Sequence, residues 1–513
     1  MSAPPTLDRL AGGWLAGDVV AGDCVDSIAK GAHVTMLGRT DGDNLEVVAK
    51  VREGEYGDRV GTVEPGGAEF IPLSERHGNP LQLLWTWTSP NLEFATVFVG
   101  VLAVAAFGLS FGQAIVAIVL GTALGSLTHG LLSSRGPRSG VPQMILSRIP
   151  FGYRGNWLPA GLNSITAGIG WFAVNSVSGA LALNTLTHMP KWLALVIVVL
   201  AQIAIAFFGH NLVHAFERLA LPVLGIAFVL AAISIFTKAH PSAVHSTGGT
   251  GGFLITLGAA FGYACGWNPY AADYTRYLRP GVSKLSTGLF AGLGVFISCV
   301  ALEIVGAASA TIGSAGDALG NPTGAFTGHM STALADFVLV AIAIGAVCAN
   351  VLNIYSGAMS FLTLGFRLPL VLRRAIIALV FGAIGFVVAL TGLKDAGDKY
   401  ENFLLVIAYW IGPWLAVMFT DWVLRRRDRV DGFLFDTRHN PWAGPLAMAI
   451  GMAVSIPLFS NQTKYVGPVP KHHPALGDLT FEVGFVLTAL LYAGFFYLQA
   501  DRRNEVLVIP EGD

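Results

Sequence analysis

Trp171 and Asn175, one helical turn apart in "GIGWFAVN", set an indole beside a carboxamide in an otherwise apolar run. Their i,i+4 spacing puts both on one helix face. The indole offers a flat wall and the amide offers donors and an acceptor, a pair suited to a planar heterocycle stacked on one and read at its edge by the other. The plainer reading has Trp171 filling a helix contact and Asn175 bonding a neighbouring helix. A second set lies in "CANVLNIYSGAMS", where Asn350 and Asn353 share a face and Tyr355 and Ser356 follow. Carboxylates at bilayer depth are expensive and mark function. Glu303, in "VALEIVGAAS", is the first candidate for proton coupling and Glu93 the second.

The elements that hold these residues are membrane spans. The chain has 513 residues, 53% hydrophobic and only 12% charged, with 62 glycines, a combination foreign to ordinary soluble proteins. A net charge of -1 argues against nucleic acid as a partner, since phosphate binding needs a basic surface. Apolar runs long enough to cross a bilayer number about twelve. They lie near 87–109, 112–134, 156–184, 191–209, 213–237, 251–277, 286–314, 331–364, 371–391, 401–424, 442–460 and 480–499.

Connections on one side carry Arg135, Arg138, Arg148, Arg154, Arg373, Arg374, Arg425, Arg426 and Arg427. Those on the other hold only Lys191, Lys238, Lys394, Lys399, Lys464 and Lys471. The positive-inside bias then places both chain ends in the cytoplasm. The first 84 residues read as a cytoplasmic tail without an apolar run suited to a signal peptide, and "NLEVVAKVREG" within it could pair as a short strand. Residues 85–425 form a ten-span core, 426–500 add two helices and 501–513 end the chain as a second cytoplasmic tail.

Two spans are interrupted. The first contains Asn91, Glu93 and Gly100; the sixth contains Gly266, Asn268, Pro269 and Asp273. If 87–237 repeats as 251–424 in inverted orientation, these spans are equivalent, and paired broken helices point to a transporter's midplane site. Asp273 with Arg276, and Asp421 with the arginines after it, read as networks at the cytoplasmic end.

Other chemistry is excluded by what the motifs lack. Cys24, Cys265, Cys299 and Cys348 form no CxxC pair. His129 has no metal partners in sequence, "KHH" at 471–473 reads as a solvated loop, and "STGGTGGF" follows no soluble strand. No Walker motif, nucleophile elbow or HExxH pair is present, so the reading is a transporter with no cofactor, not an enzyme.

Several long motifs, in order, resemble the nucleobase:cation symporter family 1, in its purine-cytosine permease branch. They include "VEPGGAEFIPLSERHG", "GPRSGVPQMILSRIPFGYRG", "GIGWFAVN", "GWNPYAADYTRYLRP", "ANVLNIYSGAMS" and "YENFLLVIAYWIGPWLAVMFTDW". The resemblance implies an all-α integral membrane protein with a leucine-transporter-like fold of ten core helices plus two. It implies import of cytosine, adenine, hypoxanthine or guanine with a cation by alternating access. It maps base contacts to Trp171, Asn175, Trp267 and Asn353, with Asn350 nearby and Gly266 at the break before Trp267. Asn91 and Gly100 are the span-one candidates. Sodium-using relatives place hydroxyls about a turn before the span-eight asparagine, where this chain has Gly345, Ala346, Val347 and Cys348. That departure favours H+ over Na+ as coupling ion, as in the fungal-type permeases. Allantoin, hydantoin or uracil would suit the same pocket, and a passive channel is the competing mechanism. The implied surroundings are the lipid bilayer of the plasma membrane; the sequence sets no oligomeric state.

Overall fold

The computed structural model describes residues 46–48, 67–208, 210–365, 373–394, 396–426, 430–499 and 506–508. The rest of both tails lies outside the described residues. The expected tail strand exists as Glu46–Val48 and pairs with Val506–Val508. The segments flanking the first and last spans therefore meet on one face, as an even number of crossings requires.

Each of the apolar runs holds a helix. Seven described helices are long and apolar enough to cross a membrane, and Gln82–Asn91 with Phe94–Ala105 makes an eighth span bent by 60°. Shorter apolar helices occupy Lys191–Ile205, Leu379–Gly392 and Ala443–Phe459. Gly249–Cys265, the first part of the interrupted sixth span, fills the remaining run. On span two, Phe111–Ser133, the residues Val116, Leu120, Leu124, Leu127 and Leu131 form an exposed apolar stripe at helical spacing, a surface for lipid.

Packing follows the repeat. Spans one, two, six and seven form one group: span two packs on Gly249–Cys265 and on span seven, Lys284–Ser309, while span one packs on span seven. Spans three, four, eight and nine form the other, in which Phe172–Thr187 packs on Thr332–Thr363, Lys191–Phe208 and Arg373–Gly392. Contacts come in exchanged pairs: one with seven matches six with two, and three with nine matches eight with four. This is the inverted 5+5 arrangement. Span ten, Ala396–Leu424, lies against span six and carries the last two helices, Ala443–Phe459 and Thr480–Leu498.

Both breaks have local causes. Pro90 opens a 3-10 turn at Ser89–Asn91, and Glu93, at φ -145 and ψ 168, is fully extended before the helix restarts at Phe94. In span six, Pro269 lies in the turn Asn268–Tyr270 and removes a helical donor. Span three contains a π-helical turn, Thr166–Trp171, a feature that often marks functional sites.

The two faces differ. On the face of the chain ends, Phe70, Ile145, Ile149, Ala272, Phe433 and Leu434 form a closed apolar cluster. The described end of the N-terminal tail is therefore packed into the body from Gly67 onward, with Ile71 fully buried, and is no free leader. On the opposite face a cavity of about 230 Å³ runs along span three from Gly170 to Leu181.

Gly100 corrects an expectation. A Cβ there would lie 1.7 Å from the carbonyl oxygen of Glu303, and one on Gly306 would lie 1.8 Å from that of Val97. The pair is a close helix crossing, with Gly100 facing backbone and no ligand space. Gly100→Ala should force spans one and seven apart and cost about 1–3 kcal/mol by overpacking; a thermal-unfolding scan in detergent should show a lower midpoint than wild type.

Candidate functional site

The π-turn of span three hands Trp171 directly to the α-helix Phe172–Thr187, so Trp171 and Asn175 keep the one-turn spacing expected of them. The indole rests on the break of span six: a Cβ on Gly266 would come within 3.1 Å of its Cζ2 and Nε1 atoms. Any side chain there would make the indole give by a few tenths of an ångström. Tyr263 and Phe403 approach the indole edge-on, with centroids 5.3 and 5.2 Å away.

Asn175 Nδ2 donates to Asn350 Oδ1 at 3.0 Å, and Asn353 Nδ2 donates to the same oxygen at 3.4 Å. Asn350 Nδ2 in turn donates to the Phe172 carbonyl at 2.8 Å and to Ser176 Oγ at 3.2 Å. Both ends of Asn350 are thus engaged. It holds the other two amides. The oxygens Asn175 Oδ1 and Asn353 Oδ1 have no partner although each residue is 1% exposed. An unpaired buried acceptor costs about 1–3 kcal/mol, and both amides here share the Asn350 oxygen.

Asn91 also departs from expectation. Its Oδ1 accepts from Trp267 Nε1 at 2.9 Å and its Nδ2 donates to the Trp87 carbonyl at 2.6 Å. It braces one broken helix against the other and leaves the Trp267 N–H engaged. Trp267 packs edge-on with Trp87 and Tyr270, both at 5.7 Å.

The carboxylates sit apart from the amides. Glu303 accepts from Thr122 Oγ1 at 2.7 Å, between spans seven and two, and its Oε1 is unpaired. Glu93, at the break of span one, lies 3.3 Å from the Tyr263 hydroxyl.

The cavity on the far face is walled by Phe94, Phe98, Val177, Tyr400 and Phe403, with Gly170 and Ala173 next to the tryptophan. Trp171, Asn175 and Asn353 do not line it, although Gly170 and Val174, next to the first two in sequence, do. The cavity is apolar, and the amide group is buried.

Arg425 Nε meets Asp421 at 2.8 Å, and Tyr492 donates to the same carboxylate at 2.6 Å. Asp273 accepts from the Gln143 amide at 2.9 Å, while Arg276 reaches the Gly67 carbonyl at 2.9 Å and Tyr355 at 3.2 Å. His129 is buried edge-on against Trp87 at 4.2 Å, and the described residues contain no group of three metal-ligating side chains.

Sequence reasoning missed Ser176 and Gln202. Ser176 donates to Gln202 at 2.9 Å, and Gln202 donates to the Ala346 carbonyl at 3.3 Å, tying spans three, four and eight. A lone glutamine in the apolar "VLAQIAI" was the available signal.

Residues 70–484 match the family of permeases for cytosine/purines, uracil, thiamine and allantoin. The chain belongs to the nucleobase:cation symporter family, in its purine-cytosine permease branch. It is 28% identical over 442 residues to the putative purine-cytosine permease YxlA of Bacillus subtilis, covering 84% of this chain and 95% of that one. It is 30% identical over 455 residues to the purine-cytosine permease fcyB of Emericella nidulans, covering 84% and 87%. The fold matches Mhp1, a nucleobase-cation-symport-1 family transporter in a closed conformation with bromovinylhydantoin bound. That match has a TM-score of 0.66 at 21% identity over 85% of this chain and 95% of that one. This permease is accordingly a membrane transporter and not an enzyme.

In the permease, Asn350→Ala strips partners from both neighbouring amides, from Ser176 and from the Phe172 carbonyl. Asn175→Ala removes one donor and its own unpaired oxygen. Asn350→Ala should therefore lower the unfolding midpoint more than Asn175→Ala, by about 1–3 kcal/mol per stranded group, in side-by-side thermal scans.

Proposed function

We propose that this permease is a secondary active symporter that imports cytosine and purine nucleobases by alternating access, coupled to H+. The observation carrying the reading is the pair of buried, unpaired amide oxygens on Asn175 and Asn353 beside the Trp171 indole. A nucleobase supplies what they lack: ring and exocyclic N–H donors at its edge and a flat face for the indole. Each amide also keeps a second N–H, so carbonyl and ring-nitrogen acceptors on the base are matched as well. Asn350, Gln202 and Ser176 hold the amides in place, and Asn91 holds Trp267 and the two broken helices together.

Alternating access is supported by the asymmetry of the two faces: an open apolar cavity on one side and packed apolar residues on the other. The basic connections support a packed side and both termini in the cytoplasm. A passive channel would need a continuous polar pore, which such a closed face does not provide.

The donor set favours protons. Sodium prefers oxygen ligands, but Gly345 presses against the Leu92 carbonyl, where an added Cβ would be 2.7 Å away. The Ala346 carbonyl already accepts from Gln202, and Val347 and Cys348 bring no side-chain oxygen. A buried carboxylate, Glu93 or Glu303, is left to carry the proton.

Uptake of labelled cytosine into proteoliposomes, with competition by adenine, hypoxanthine, guanine, uracil, allantoin and hydantoin, tests the reading. Accumulation should collapse with a protonophore and persist without sodium. Asn175→Ala should raise the half-saturating concentration at least tenfold, which is about 1.4 kcal/mol of binding. A variant with unchanged affinity, or competition by hydantoins alone, would refute the assignment.

A further inference from the structure

Four groups stand in file beside the break of span one: the Asn91 carbonyl, the Thr96 hydroxyl, the Tyr263 phenol and the Glu93 carboxyl. Thr96 Oγ1 lies 2.6 Å from the Asn91 oxygen and 2.5 Å from the Tyr263 oxygen, which lies 3.3 Å from Glu93 Oε1. None of the four residues is more than 2% exposed.

The hydrogens in this file can be counted. A carbonyl only accepts, so the single Thr96 hydrogen points to Asn91. The Thr96 oxygen then accepts from Tyr263, whose hydroxyl hydrogen is also its only one. With both used, the contact between Tyr263 and Glu93 is a hydrogen bond only if the carboxyl supplies the proton. An ionised Glu93 can only accept, and it reverses the file: Tyr263 donates to Glu93, Thr96 donates to Tyr263, and the Asn91 carbonyl loses its donor.

We infer that Glu93, Tyr263 and Thr96 form a two-way hydrogen-bond switch that reports the protonation of Glu93 to the break in span one and to both tryptophans. This rests on the proton-coupled reading above and chooses between its two carboxylates. The file touches the ligand site at each end. Asn91 holds Trp267 Nε1 at 2.9 Å, and the Tyr263 ring packs edge-on against Trp171. A neutral Glu93 pins the break; an ionised one strands a buried carbonyl there and favours movement of Phe94–Ala105 relative to Gln82–Thr88. Glu93 takes its proton from hydronium in the cavity that reaches the adjacent Phe94 and Ala95, leaving water, and returns it to water on the other face.

Other titratable groups facing Glu93 stay outside the file. Span seven brings Cys299 and, beyond it, Glu303, which is bonded to Thr122. Span ten brings Tyr400, whose hydroxyl donates to the Ala95 carbonyl at 2.8 Å. Span eight meets Glu93 with Gly345, which has no ionisable side chain.

Purified wild type, Glu93→Gln, Tyr263→Phe, Thr96→Val and Glu303→Gln in proteoliposomes test the switch with labelled cytosine. The Glu93→Gln amide cannot gain or lose a proton, so proton binding no longer sets the direction of the file. Accumulation under an inward proton gradient should fall at least tenfold in Glu93→Gln, Tyr263→Phe and Thr96→Val, while counterflow without a gradient loses its pH dependence; Glu303→Gln leaves the file intact and should keep a pH-dependent counterflow. Accumulation by Glu93→Gln within twofold of wild type, with the same pH profile, overturns the switch. Should that variant not assemble, Tyr263→Phe decides by the same criterion, because it keeps the ring on Trp171. Failure of wild type to move any base defeats the proposed function instead, and the switch is then read without substrate. Tryptophan emission of the detergent-purified protein should shift with pH in wild type and not in Glu93→Gln or Thr96→Val; identical titrations in all three overturn it.

Discussion

Hydrocarbon supplies no hydrogen-bond partners, and every polar feature of this permease is organised around that constraint. Two spans are broken, which frees backbone groups at the depth where they are most expensive. The break in span one persists because side chains of the same span answer its freed carbonyls. Thr96 donates to the Asn91 carbonyl, and the Asn91 amide bridges Trp87 on its own span to Trp267 on the other broken one. Remove the bridge and the two interruptions become separate defects.

The same rule shapes the amide group. Asn350 is saturated by four partners and works as a fixed bracket, whereas Asn175 and Asn353 are each left with one acceptor oxygen unpaired. A fully satisfied network would be rigid and inert toward ligands; a wholly unsatisfied one would not survive burial. The observed distribution concentrates the deficit on two oxygens next to an indole. Specificity then follows from which bases place N–H groups opposite both.

Coupling needs a part with two states, and backbone packing supplies few. The glycine crossing of spans one and seven is rigid, since Gly100 and Gly306 leave backbone against backbone. The hydroxyls of Thr96 and Tyr263 are different, because each can turn its hydrogen either way at little cost in geometry. A chain of such hydroxyls between a carboxyl and a helix break converts a proton into a change of backbone satisfaction.

The sequence by itself determined the membrane class, the twelve helical runs and the two interrupted spans, because those follow from local composition, proline and glycine. It also placed Trp171 with Asn175, and Asn350 with Asn353, on shared helix faces, since helical spacing alone sets that. Only the tertiary structure decided what each polar group does. Asn350 and Asn91 became braces, Gly100 a helix contact, Ser176 and Gln202 supports, and Tyr263 the neighbour of Glu93. Those roles depend on partners 80 or more residues away in several cases, such as Tyr263 with Glu93, 170 residues apart. A hydrogen bond has one donor and one acceptor whose pairing no local spacing encodes, so which amides are saturated and which are left open emerges only when the two repeats pack.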